Sequence, residues 1–251
     1  MHPSAHAQMG LCIERYMKKG RRYRVLDFGS GTSPQQTLTH RNLLEDYEVD
    51  YVGTDIREGN NIDLVMEKPY SIPVKSRSVD IVLSGQVFEH IPFFWASLLE
   101  VARVMKPGGY FFMTVPSRGH EHSAYDCWRV YPDGIRAMAA WARFDLIEAF
   151  TDFPPPIHEP GHRRRKHDFA KVDTENYYWG DSVGVFRKPE GYPALRAAVL
   201  RRVILLWANR IGDLELIPTP KRKRERKDIL GVAQPESAAS SAGPSEGLVN
   251  E

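Results

Sequence analysis

The chain holds 251 residues, with 34 Lys/Arg against 32 Asp/Glu and a formal net charge of +2. That balance removes any global electrostatic case for nucleic acid, and the length suits one substantial α/β core with appendages better than two domains. Cys12 and Cys127 are too few for a disulfide framework, and no secretory leader or long apolar span is evident, so a cytoplasmic protein without stable membrane insertion is expected.

Residues 1–20 are expected to form an N-terminal helical extension covering the sheet or the mouth of its ligand site. Val25–Phe28 reads as the first strand and runs into Gly29-Ser-Gly31, with Ser33 as cap and Pro34 in the first turn of a helix expected to reach about Glu45. Tyr51–Asp55, Ile62–Val65, Val79–Ser84 and Tyr110–Val115 supply four further strands, the last preceded by a turn at Lys106-Pro-Gly-Gly109. Between the last two, Phe94, Leu98, Val101 and Met105 recur at helical spacing and should face the sheet. A helix over Pro132–Ala142 and strands at Phe144–Phe150 and Ser182–Phe186 complete the series. Alternating strands and helices of this kind give an α/β, Rossmann-like, seven-stranded and mostly parallel sheet, with helices on both faces and an antiparallel edge strand.

Gly29 and Gly31 are expected to permit positive φ and to let backbone approach a nucleoside-like ligand closely. A third glycine, which a dinucleotide fingerprint needs, is replaced by Pro34, and there is no Gly-Lys-Ser/Thr phosphate loop. Open α/β sheets bind ligands at the carboxyl ends of their strands, so Asp55 is placed to accept hydrogen bonds from vicinal ribose hydroxyls.

Four ordered motifs, Val25–Gly31, Gly53-Thr-Asp55, Ser78–Ser84 leading to Phe88-Glu-His-Ile91, and Val104–Tyr110, resemble those of class I S-adenosylmethionine-dependent methyltransferases of the type 11 group, over residues 20–190. The resemblance implies that Asp27, Gly29 and Gly31 hold the methionine end of S-adenosylmethionine and that Asp55 holds its ribose. It further implies that Glu67 lies near adenine and that Ser84 and Gln86 line the region of the sulfonium. The adenine motif is out of register here by one residue. Glu89 and His90 are read as framework rather than as catalytic groups.

Methyl transfer to oxygen needs a proton acceptor, and the segment after Val115 is rich in candidates. His122, oriented by Asp126 or Glu121, is the leading base, with His120 as the close alternative. The same groups suit a magnesium ion, although no complete ligand set is spaced for one. A structural salt bridge between Asp126 and Arg129 is the competing reading. The stretch Asp126-Cys-Trp-Arg-Val-Tyr-Pro-Asp-Gly-Ile-Arg136 also resembles one found in bacterial type 11 enzymes associated with glycan and cell-surface polysaccharide synthesis, with Cys127 in place of Tyr. Residues 153–180, with Arg163–Lys166 and Tyr177-Tyr-Trp179, read as an acceptor-side flap.

An apolar, arginine-bearing helix is expected within residues 191–215, its Val199, Val203 and Trp207 stripe suited to packing, a homodimer contact or a membrane surface; residues 216–251 read as a disordered tail opened by the basic run Lys221–Lys227. The expected function is methyl transfer from S-adenosylmethionine to a hydroxyl of a sugar, oligosaccharide or similar small polar acceptor. The alternatives are a catalytically silent binding protein of the same fold and an N-methyltransferase of another small molecule. An Asn/Asp-Pro-Pro element, common in the latter, is absent after the fourth strand, where Ser84-Gly-Gln-Val87 stands.

Overall fold

Strand β1 (Tyr23–Phe28) is buried except at Arg24, which is why Val25, Leu26 and Phe28 put apolar side chains on both faces instead of alternating with exposed polar ones. In the computed structural model, which describes residues 3–68, 70–119, 125–151 and 180–211, it lies within a seven-stranded sheet. β2 (Val49–Asp55) and β4 (Val79–Gly85) flank it in parallel, β3 (Leu64–Val65) extends the sheet beyond β2, and β5 (Met105–Arg118) runs parallel to β4. β7 (Gly180–Arg187) is antiparallel and sits between β5 and β6 (Asp145–Thr151). The order β3-β2-β1-β4-β5-β7-β6 makes the chain reverse direction between β1 and β4. Ligands of open α/β sheets bind beyond the carboxyl ends of the strands at such a switch point.

Helices α2 (Phe94–Val104) and α3 (Pro132–Ala142) cover one face, packing Leu98, Val101, Ile135 and Met138 with Leu26, Phe111 and Phe186. Helix α1 (Pro3–Tyr16) covers the other, where Met9 and Ile13 meet Val25, Ile81, Leu83 and Phe112. α3 begins on Pro132, whose fixed φ suits a first turn, and ends at Arg143 in the left-handed region (φ 57°), so that the Arg143 N–H reaches back to the Ala139 and Ala140 carbonyls.

Three expectations need correction. The helix expected from Pro34 to Glu45 does not form, and only a short 3-10 turn at Asn42–Leu44 remains. β-branched Thr37 and Thr39 are poor helix formers, Asn42 Oδ1 accepts from both Thr39 N and Thr39 Oγ1, and the segment delivers His40 to the buried Asp27 (2.9 Å). Lys106–Gly109 is not a turn preceding β5 but lies inside it, where the register with β4 shifts between Val79 and Ile81. In α4 (Ala194–Ile211) the packed face is Leu205 and Ala208, with Ile204 beside them, whereas Val199 and Val203 face outward. Residues 153–179 of the expected flap lie outside the described residues, as does the expected tail, residues 216–251.

Candidate functional site

Beyond Phe28 the backbone turns through Gly29 at φ 77°, where a Cβ would lie 2.4 Å from Val87 Cγ2. Gly31 is needed for a different reason from the one expected: its φ is ordinary, but a Cβ there would meet Asp55 Oδ2 at 2.8 Å. That approach lets the Gly31 N–H donate to Asp55 Oδ2 (3.1 Å), while the Ile56 N–H donates to Oδ1 (2.7 Å). The carboxylate is thereby fixed at the carboxyl end of β2, half-buried and facing a cleft of about 760 Å3. Ile56, Met66, Tyr70, Val87 and Ile91 supply apolar walls, and Asp55, Gln86 and His90 supply polar groups. Its lining, mostly apolar with a few convergent polar groups, is that of a small-molecule site.

A second cavity, of about 380 Å3, shares Gly29, Gly31 and Gln86 with the first and is bordered by Asp27 and His40. Asp27 is buried, accepting from Tyr51 Oη (2.6 Å) and paired with His40 Nδ1 (2.9 Å). Asn61 donates to Tyr51 Oη (3.2 Å) and to the Ser30 carbonyl (3.0 Å), so the network fixes the glycine elbow from beneath. Burial, with the Asp27 carboxylate beside it, pushes the Tyr51 phenol well up.

The remaining expected residues separate. Gln86, in the left-handed region (φ 60°), lines both cavities and donates from Nε2 to Asp181 Oδ1 (3.1 Å). Ser84 is buried and donates from Oγ to the Phe28 carbonyl (3.0 Å), a strut between β4 and β1 that is not part of the cleft lining. Glu67 is exposed and off the cleft, whose wall at that place is Met66 and Tyr70, as the register slip in the motif foreshadows. His120, Glu121 and His122 lie outside the described residues. Asp126 has both carboxylate oxygens bound by Arg129 (2.5 and 2.6 Å), the contact that the salt-bridge reading expects. Among the described residues no group of three or more His, Cys, Asp or Glu is placed to hold a metal ion.

The 3-10 turn Phe88–His90, which follows β4, carries the two groups expected to be framework, Glu89 and His90. His90 lines the cleft, its Nδ1 bound to the Tyr125 carbonyl and its Nε2 3.6 Å from Glu89 Oε1. Glu89 is fully buried, and among the described residues no other residue hydrogen-bonds to either carboxyl oxygen. Burial pushes its carboxyl up to about 8; its own backbone N–H and Arg129 act against the shift, and Asp126 and Asp181 act with it. Gln86 Oε1, Thr114 Oγ1 and Ser182 Oγ are also buried without partners among the described residues. Because Gly85 pairs with Thr114 and Val115 with Ser182, these groups gather where β4 and β5 end and β7 begins. The segment after β5 is anchored against them, since Cys127 N (2.7 Å) and Trp128 N (3.2 Å) donate to the Glu89 carbonyl.

Comparison with known proteins agrees with this geometry. Residues 26–113 match the sequence model described as a methyltransferase domain. An uncharacterized methyltransferase of Mycobacterium ulcerans is 38% identical over 158 residues, which make up 60% of this chain and 56% of that protein. The chain thus spans about half the length of the curated relatives it matches. Among solved structures, the YcgJ protein of Bacillus subtilis superposes with a TM-score of 0.54 at 17% identity, covering 74% of this chain and 100% of that one. Phosphoethanolamine N-methyltransferase 2 of Haemonchus contortus, in complex with phosphomonomethylethanolamine and S-adenosylhomocysteine, gives 0.50 at 15% identity, covering 72% of this chain and 52% of that one. The fold is the Rossmann-like methyltransferase fold.

Proposed function

We propose that this chain, with a methyltransferase domain matched over residues 26–113, is an S-adenosylmethionine-dependent methyltransferase acting on a hydroxyl of a sugar, oligosaccharide or similar small polar acceptor. The observation that carries the donor is the glycine elbow closed on Asp55 within the matched segment. The residues present fit such a donor. Asp55, held by two backbone N–H groups, would take the ribose hydroxyls; Ile56 and Met66 offer flat apolar contact for adenine; Gly29, Gly31 and Gln86 border the cavity for the methionine end. Asp27 serves that end indirectly, by fixing the elbow through Tyr51 and His40. Bound there, the donor supplies a methyl carbon activated by its sulfonium.

The chain's remaining task is to align the acceptor and remove its proton. His122, with His120 as alternative, is the proposed base. In support, the segment that follows them is pinned beside the cleft by Cys127 and Trp128 on the Glu89 carbonyl and by the Asp126–Arg129 pair. A hydroxyl acceptor is favoured over a nucleobase or amide nitrogen by Ser84–Val87 standing where an Asn/Asp-Pro-Pro element belongs. The sugar class rests on the resemblance of residues 126–136 to glycan-associated enzymes.

Calorimetry with S-adenosylmethionine and S-adenosylhomocysteine tests the donor site. Both should bind, and Asp55→Ala should weaken both by about tenfold or more, the scale of a lost charged hydrogen bond. Unchanged affinity in that variant would remove the ribose assignment. Transfer of labelled methyl to a panel of glycosides should then fall in a His120→Ala/His122→Ala double variant that still binds donor. Donor binding with no transfer by the unaltered protein to any acceptor tried would favour the silent binding protein.

A further inference from the structure

Helix α4 has two unlike sides. Leu205 and Ala208 are buried in a cluster with Tyr70 and Ala96, joined by Ile91 and Phe93, and the Trp207 ring lies 5.4 Å from that of Phe93. Tyr70 and Ile91 also form part of the cleft wall, so this contact seats the helix directly behind the candidate site. On the opposite side Leu195, Val199, Val203 and Leu206 recur at helical spacing and are 80%, 59%, 62% and 67% exposed. Single exposed apolar residues are ordinary on a protein surface, but four forming one stripe on one helix require a partner.

The charges on α4 identify that partner. The helix carries Arg196, Arg201, Arg202 and Arg210 and no Asp or Glu. Arg201 turns inward to Glu100 (2.7 Å), whereas Arg196, Arg202 and Arg210 are exposed around the apolar stripe. A second copy docked through the same face would bring arginine against arginine with no acid from either helix to offset it, which opposes self-association. A flat anionic surface answers both features, because it takes the apolar side chains and attracts the cations. No described helix is long and apolar enough to cross a membrane, so α4 suits a position along a bilayer and not through it.

We infer that α4 docks the protein on an anionic phospholipid bilayer, with Leu195, Val199, Val203 and Leu206 entering the boundary of the acyl region and Arg196, Arg202 and Arg210 at the lipid phosphates. The inference stands apart from the donor assignment. It would bring the cleft wall formed by Tyr70 and Ile91 close to the membrane.

Sedimentation of the full-length protein with phosphatidylcholine vesicles, with and without phosphatidylglycerol, tests it. The protein should pellet with the anionic vesicles, bind neutral ones at least about tenfold more weakly, and be released by salt. Val203→Glu/Leu206→Glu should abolish pelleting while leaving the melting temperature unchanged, since both side chains are exposed. If that variant unfolds, Leu195→Gln/Val199→Gln must give the same loss in a folded protein. Three results would overturn the inference. The protein fails to bind anionic vesicles; binding survives the α4 substitutions, which assigns it to the basic run Lys221–Lys227; or light scattering shows a dimer that the same substitutions dissociate.

Discussion

Glu89 shows how much of a site is decided by burial. Its carboxyl titrates near 8 in the folded protein against an ordinary 4.5, and the groups facing it are His90 beside it, Asp126 and Arg129 from the segment after β5, and Asp181 from β7. Below about pH 4.5 it is protonated whether folded or not. Between about 4.5 and 8 the unfolded chain releases a proton that the folded protein retains, so stability falls as pH rises through that window and then levels off. Glu89→Gln keeps the shape and removes the titration. Urea unfolding at pH values across that window should show the wild type losing up to a few kcal/mol relative to the variant; a constant difference between the two would mean that Glu89 is not held protonated. Asp55 and the glycines of the elbow were legible in the sequence because their chemistry is local, a strand end meeting a tight turn. Glu89, His40 and Asp181 were not, since their meaning comes from partners brought by the fold: Gln86 and Asp181 are 95 positions apart.

Elements were legible where a terminator agreed with the periodicity. Helix α3 was read with its observed ends because Pro132 opens it and the apolar spacing stops at Ala142. Its closing residue was not foreseen, because Arg143 takes a left-handed conformation that glycine adopts more readily. Arg143 is exposed, and the bonds that close the helix come from its backbone, so Arg143→Gly should relieve strain and raise the unfolding free energy by about 0.5–1 kcal/mol in urea titration. A loss of stability would show that the Arg143 side chain contributes more than its backbone strain costs. The expected helix after β1 failed for the opposite reason, because a plausible start at Ser33-Pro34 had no apolar face to bury and a tertiary bond, His40 to Asp27, claimed the segment. In α4 the stripe was visible, but the sequence alone gave no way to tell which side packs, since Leu205 and Ala208 supply a second apolar side.

That missing helix changes the architecture of the whole molecule. Only a short 3-10 turn lies between β1 and β2, so α1 takes a large part in covering the sheet face formed by Val25, Ile81, Leu83 and Phe112. α1 is tied down near both ends, Ser4 Oγ donating to Asp181 Oδ2 (2.6 Å) on β7 and Arg15 Nη1 to Glu148 Oε1 (2.8 Å) on β6. The exposed Arg15 pair contributes little. Ser4 matters more to the site, because Asp181 also accepts from Gln86 at the cleft. The segment read from sequence as a helical extension covering the sheet or the site's mouth lies on the sheet, with Met9 and Ile13 at 0% and 1% exposure and Leu11, on the other side of the helix, at 56%. Truncating a side chain in a packed core costs about 2–5 kcal/mol, whereas surface changes stay within about 0.5 kcal/mol. Met9→Ala and Ile13→Ala should each lower the unfolding free energy on the larger scale and Leu11→Ala on the smaller. Three equal and small losses in equilibrium urea unfolding would show instead that the sheet face is stable without α1, and that the cleft does not depend on it for support.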